Sequence, residues 1–141
     1  MQQHNFHVKL ELRIDWSEMD HFMHVNNVSF FKYIQASRVN YWERTGLTEM
    51  HKKNNIGPIL VSCKCDFKAP LFYPGTITVQ AKVDVIKNTS FCIHHQIIDH
   101  NGQLAAEAYD VIVMYDFNKN EKTAIPFEFR NEIEKIEGKI F

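Results

Sequence analysis

Glycine and proline are scarce in this 141-residue chain, at five and four residues, which excludes collagen-like repeats and linker-like tracts. Cysteine is scarcer still: three residues, an odd number, form no closed disulfide framework and suit a reducing compartment. A surplus of either charge is also missing. Lys plus Arg total 16 against 17 Asp plus Glu, a net charge of −1, which argues against a protein held to nucleic acid by bulk charge. No apolar run approaches the ~20 residues of a membrane-spanning helix. Met1-Gln2-Gln3-His4-Asn5 has neither the basic start nor the apolar stretch of a secretory signal. The expectation is therefore a cytoplasmic protein, with Asn27-Val28-Ser29 and Asn88-Thr89-Ser90 as chance sequons. What the chain does have is apolar and aromatic mass: 45% hydrophobic residues and 11 Phe, which excludes a disordered chain. The length fits one domain spanning 1–141, and no internal repeat divides it.

Hydrophobic periodicity orders the elements. Phe6, Val8, Leu10, Leu12 and Ile14 alternate with polar residues, which predicts a strand with one buried face. An irregular polar stretch, 15–27, follows. From 28 to 44 apolar residues spread around most of a helix without Gly or Pro, the pattern of a buried helix. Asn26 or Asn27 suits its N-cap, and Gly46 its C-terminus. A shorter helix is expected over 47–53. After Gly57-Pro58 the chain turns to strand, with Ile59, Val61, Cys63, Cys65 and Phe67 on one face. Pro74-Gly75 marks a turn, and a second alternating strand follows over 76–85. Asn101-Gly102 joins strands over 90–99 and 103–117, the strongest short hairpin signal. Pro126 opens a short C-terminal helix over 127–136. The order predicts an α+β fold: a curved antiparallel sheet wrapped around one long central helix. Val111, Val113 and Tyr115 are apolar as well as their alternating neighbours, so a second sheet or another subunit is expected to cover the late strand.

The segment richest in chemistry is Ser17-Glu18-Met19-Asp20-His21-Phe22-Met23-His24-Val25-Asn26-Asn27, which leads into the buried helix. A helix start offers unpaired backbone N–H groups and partial positive charge, which can hold a carbonyl oxygen as it becomes negative. A carboxylate just upstream supplies a base or nucleophile. Together they make a minimal acyl-transfer site, though Asp and Asn here could equally do no more than cap the helix.

Asp20, then His24-Val25-Asn26-Asn27, then Phe30 and Tyr33 resemble the signature of the hotdog-fold thioesterases of the 4-hydroxybenzoyl-CoA thioesterase-like branch. The likeness continues through Arg38-Val39, Tyr41-Trp42, Asp66-Phe67-Lys68-Ala69-Pro70, Tyr73-Pro74-Gly75 and Ser90-Phe91 to the long late strand, roughly 6–118. It implies an acyl-CoA thioesterase in which Asp20 is the catalytic carboxylate, as general base or as nucleophile. The backbone N–H of Asn27 would polarise the thioester carbonyl. His24 and Asn26 would position substrate or stiffen the loop. Lys87, Asn88, Thr89 and Ser90 would meet the nucleotide phosphates of coenzyme A, which belongs to the substrate; no other cofactor and no metal is implied. The family carries Gly where Met23 stands, so the loop is expected to take another path or to be slightly strained. Lys87 is the one firm cation of the phosphate region, which keeps an acyl carrier protein open as the acyl donor. Hotdog domains pair, so a homodimer or homotetramer is expected, with its active site between subunits.

The chemistry is coherent: a thiol, with a pKa near ~8.5, leaves with little acid help. Competing readings carry less. Cys63 and Cys65 with His94 and His95 could suggest zinc, but Cys-x-Cys is a poor match to structural zinc spacing; buried thiols, and one buried, hydrogen-bonded His, are expected instead. No Gly-x-Ser-x-Gly elbow is present. A hotdog dehydratase or hydratase would carry a His-Phe-Pro loop, whereas His21-Phe22 runs into Met23. A non-catalytic acyl-thioester-binding protein using the same pocket is the other alternative.

Overall fold

The alternation at the N-terminus becomes β1, Val8–Arg13, with Val8 and the following Ile14 buried. The computed structural model describes residues 5–141; residues 1–4, most of the stretch read above for a signal, lie outside it. After a 3-10 turn at Trp16–Glu18, helix α1 runs from Asn27 to Thr45. Asn26 is its N-cap, its side-chain oxygen accepting the Ser29 N–H at 2.8 Å. Gly46, at φ +78°, ends it in the left-handed conformation that glycine adopts without penalty. Helix α2, Leu47–Asn54, follows directly.

Four long strands then make the sheet: β2 Ile56–Phe67, β3 Thr76–Ile86, β4 Ser90–Asp99 and β5 Leu104–Asp116. A two-residue β6, Glu121–Lys122, pairs with β5, and helix α3, Phe127–Glu137, closes the chain behind Pro126. The order is β1-β3-β4-β5-β2, antiparallel throughout. The β4–β5 hairpin turns at Asn101-Gly102, where Asp99 Oδ1 accepts the N–H groups of Asn101 and Gln103. The sheet curls around α1, which packs on β1, β3 and β4.

Two differences from the expected pattern matter for function. First, α1 is not buried all round. Phe30, Tyr33, Ile34 and Tyr41 face the sheet, but Val28, Phe31 and Val39 are 64%, 39% and 43% exposed. One curled sheet covers one side of a helix, so the other side stays open in a single chain. Second, β2 does not keep one face. Leu60 pairs with Ile112 and Ser62 with Val111, so Val61 is bulged and the parity shifts. Leu60 faces the helix side before the bulge. Beyond it Cys63, Cys65 and Phe67 do, opposite Asp110, Ala108 and Ala106; Ile59 and Val61 therefore part from them. Both thiols are half-buried rather than core.

At the other end of the molecule α3 is tied down by Glu137. Its carboxylate accepts the Tyr41 hydroxyl at 2.5 Å and the Val83 N–H at 3.1 Å, beyond the point where the β1–β3 ladder ends at Val8 and Ala81.

Candidate active site

The loop between β1 and α1 is built as a bracket. Asp15 and Glu18 form a capping box around the 3-10 turn. Glu18 is buried, its Oε1 accepting both the Asp15 N–H and the Tyr33 hydroxyl at 2.8 Å, so one carboxylate joins the loop to α1. Burial, and after it contact with the Glu18 carboxylate, push the Tyr33 phenol well above its usual range. The Asn26 N–H donates to the Glu18 carbonyl at 3.0 Å and the Val25 N–H to the Leu71 carbonyl at 2.8 Å. The signal for this anchor in the sequence is the capping-box spacing Asp15-x-x-Glu18.

Within this bracket Asp20 closes a tight turn. Its Oδ1 accepts the N–H groups of Phe22 and His24 at 2.8 and 3.4 Å, and its Oδ2 lies 3.3 Å from His24 Nδ1. The turn needs a left-handed residue, and Met23 supplies it at φ +72°. The loop thus keeps the path a glycine would take and carries the strain of a side chain there, with Met23 74% exposed. Because a non-glycine residue in this region costs ~1–2 kcal/mol, and glycine loses part of that gain to its freer unfolded chain, Met23→Gly is expected to stabilise the protein by a fraction of that amount. A higher urea midpoint at unchanged slope would show it; an unchanged or lower midpoint would mean that the Met23 side chain has a stabilising role of its own.

Asp20, His24, Val25, Asn27, Phe30, Phe67, Lys68, Ala69 and Pro70 line one cleft of about 460 Å³. The structure therefore gathers Asp20, His24 and the first residue of α1 in one place. The N-cap Asn26 uses its side chain on Ser29, and the amides of Asn27 and Val28 head the helix, where no intrahelical carbonyl reaches them. His21 is exposed, packs edge-on against Phe22 and does not line the cleft.

Lys87, Asn88, Thr89 and Ser90 lie elsewhere in the chain. They form the β3–β4 turn, where the Lys87 N–H donates to the Ser90 carbonyl at 2.7 Å, and the Asn88 and Thr89 carbonyls accept from Ile125 and Met114. Arg13, just before the Asp20 loop, pairs with Thr76 at the opposite end of β3. The 11 residues of β3, at ~3.3 Å each, put the two regions roughly 30 Å apart. One chain does not bring them together.

A second polar cluster, between α1 and the sheet, was not legible as a unit. Arg38 on α1 donates through Nε and Nη2 to both oxygens of Asp110 on β5, at 2.7 and 3.1 Å. His95 Nε2 lies 2.7 Å from Asp110 Oδ2, and its Nδ1 lies 3.0 Å from Ser37 Oγ. His95 and Asp110 are fully buried, which meets the expectation that one of the two histidines is buried and bonded. His94 points to the other face, stacked on Tyr109 and bonded to Glu107. Burial holds the His95 pKa below its usual value, against the pull of Asp110. Burial pushes Asp110 up, but hydrogen bonds from His95 and Arg38 outweigh it and bring its pKa to about 2. Both folded-state values lie below the unfolded ones, so both groups release stability as pH falls. Stability is expected to decline first from the ordinary His pKa of 6.5 downward, then again between 3.8 and about 2 as Asp110 protonates. Urea unfolding across this range tests it; a midpoint that is flat from pH 7 to 5 would refute the His95 assignment.

A curled antiparallel sheet around one long helix is the hotdog fold. The chain belongs to the thioesterase-like superfamily, whose family model matches residues 14–133. It is similar to the long-chain acyl-CoA thioesterase FadM of Escherichia coli K12, 18% identical over 130 residues that cover 92% of this chain and 98% of that protein. Among solved structures, a Thermus thermophilus thioesterase complexed with coenzyme A and Zn matches with a TM-score of 0.85 at 20% identity, over 96% of this chain and 98% of that one. The probable thioesterase YbaW of Escherichia coli matches at 0.80 and 19% identity, over 92% and 98%. No helix among the described residues is long and apolar enough to cross a membrane.

Proposed function

We propose that this protein hydrolyses acyl-CoA thioesters to a free acid and coenzyme A. The observation that carries the reading is the shared cleft: the Asp20 carboxylate and the first turn of α1 line the same space, a base beside an anion-stabilising helix end. The thioester oxygen rests on the Asn27 N–H. Asp20 either takes a proton from water as the water oxygen attacks the carbonyl carbon, or attacks that carbon itself to give a mixed anhydride that water then opens. The C–S bond breaks and coenzyme A leaves as thiolate. His24, beside Oδ2, keeps the carboxylate turned toward the cleft, and Asn26 fixes the helix start.

The complete site is a dimer site. Strand β2 is a sheet edge with Leu60, Val61 and Phe67 41%, 56% and 48% exposed, a surface that invites further pairing. Antiparallel pairing of β2 with its copy about a two-fold axis turns the second subunit end for end. That brings the second subunit's 87–90 turn to the end of the sheet where Asp20 lies. Lys87, Asn88, Thr89 and Ser90 then serve the nucleotide phosphates across the interface.

The test is thiol release from a panel of acyl-CoAs and acyl carrier protein thioesters, run with light scattering. Hydrolysis of acyl-CoAs by a dimer or larger assembly is expected. Release from acyl carrier protein alone would change the donor, and no release from any donor would leave an acyl-thioester-binding protein.

A further inference from the structure

On the hydrolase reading just given, we propose that Tyr33 is a positioning residue for the reaction: its hydroxyl bond to Glu18 sets the spacing between the Asp20 carboxylate and the amides that open α1. Tyr33, Ser37 and Tyr41 recur every four residues and share one buried face of α1. Each spends its hydroxyl on a different part of the molecule. Tyr33 donates to Glu18 Oε1 in the loop at 2.8 Å, Ser37 Oγ lies 3.0 Å from His95 Nδ1 on β4, and Tyr41 donates to Glu137 Oε2 on α3 at 2.5 Å. Apolar packing tolerates more than one seating of a helix on a sheet, whereas buried, directional bonds select one. At 1.5 Å rise per residue, Tyr33 lies ~9 Å along the axis from Asn27 and Tyr41 ~21 Å. The Tyr33 tie is therefore the one nearest the cleft.

The loop end of that tie carries Asp20. Glu18 stands two residues before Asp20, and its backbone carbonyl accepts the Asn26 N–H at 3.0 Å. The Asp20 N–H donates to the His24 carbonyl at 2.8 Å, and Met19 bridges Val25. The 18–26 segment is thus a small antiparallel hairpin with Asp20 near its tip. The Val25 N–H bond to the Leu71 carbonyl ties this hairpin to the chain after β2, not to α1. Beyond the N-cap, one other polar side-chain link joins the hairpin to α1 among the described residues. It is Lys32 Nζ to Glu18 Oε2, at 3.4 Å, on a lysine that is 64% exposed, and such pairs contribute little. The Tyr33 bond is buried and runs to a carboxylate, which makes it the stronger of the two. Burial raises the phenol pKa, so the proton stays on Tyr33. Without this bond the hairpin can tilt against the helix, and Asp20 tilts with it.

The experiment measures kcat and KM on the best acyl-CoA of the panel for the wild type, Tyr33→Phe, Tyr41→Phe and Glu18→Gln, with thermal melts to confirm folding. Tyr33→Phe leaves Glu18 its bond from the Asp15 N–H. It is expected to lower kcat at least ~10-fold with KM little changed, since a misplacement of ~1 Å can cost ~10²-fold. Tyr41→Phe removes the same hydroxyl at the far end of the stripe; it should lower the melting temperature and keep the wild-type kcat. Glu18→Gln keeps an acceptor oxygen for Tyr33 and should keep most of kcat. Amide exchange gives a readout without substrate: the Asp20 and Asn26 N–H groups should exchange faster in Tyr33→Phe and not in Tyr41→Phe. Wild-type kcat in folded Tyr33→Phe, equal kcat losses in Tyr33→Phe and Tyr41→Phe, or a loss in Glu18→Gln as deep as in Tyr33→Phe overturns the positioning role while leaving hydrolysis intact. Absence of thiol release from every acyl-CoA is a different result: it removes the hydrolase reading itself, and the exchange rates then decide whether Tyr33 orders the hairpin.

Discussion

Asp20→Asn is expected to lower kcat for acyl-CoA hydrolysis by ~10²–10⁴-fold, the usual contribution of a positioned base, with KM little changed. The substitution is close to isosteric. An Asn Oδ1 can still accept the Phe22 N–H that Asp20 now holds at 2.8 Å, so the turn survives. What disappears is the carboxylate oxygen beside His24 that the proposed reaction uses as base or nucleophile. On the proposed reading, substrate affinity rests on other groups, the α1 amides, the cleft wall and the 87–90 turn, which is why the loss should fall on turnover. Steady-state kinetics beside a melting curve separates the effects. A folded Asp20→Asn enzyme that keeps most of its wild-type kcat would show that the base or nucleophile lies elsewhere.

The largest expected effect on stability comes from Arg38→Met. Met replaces much of the apolar stem of Arg38, which is 13% exposed, but leaves the fully buried Asp110 without its two guanidinium bonds. Breaking a buried ion pair from one side costs ~3–5 kcal/mol. The cost should depend on pH in a specific direction. His95 lies 2.7 Å from Asp110, and Arg38 is one of the charges holding its pKa down. Without Arg38 the imidazole can take a proton and neutralise Asp110. The stability gap between variant and wild type should therefore be wider at pH 8 than at pH 5. Equal gaps at both pH values, measured by urea unfolding, would mean that His95 does not stand in for the lost charge.

The fold was legible wherever its determinants were local. The two-residue alternation of β1, the Asn at the start of α1, Asn101-Gly102 in the β4–β5 turn and Pro126 before α3 each act within a few residues. The parity of β2 was not legible, because the bulge at Val61 answers to its partner strand β5 rather than to its own residue types. The site divides in the same way. Asp20, His24 and Asn27 fall within one loop and one helix turn, so the segment could be recognised as chemistry in one piece. Phe67 reaches the cleft from a distant strand, and the Ser37–His95 and Arg38–Asp110 contacts span 58 and 72 residues. Such pairs follow from sheet register, which composition and spacing do not encode. Met23 shows the converse: of the two outcomes expected there, another path or a strained one, the turn takes the second and keeps the glycine-like path.

The Glu18 anchor has a mechanical consequence. Because one carboxylate grips both the start of the loop and the Tyr33 hydroxyl, Asp20 and the first turn of α1 ride on a single stiff frame. Thermal jostling displaces them in step, and their mutual spacing is set before any guest arrives. Such a frame has no hinge with which to lift like a flap.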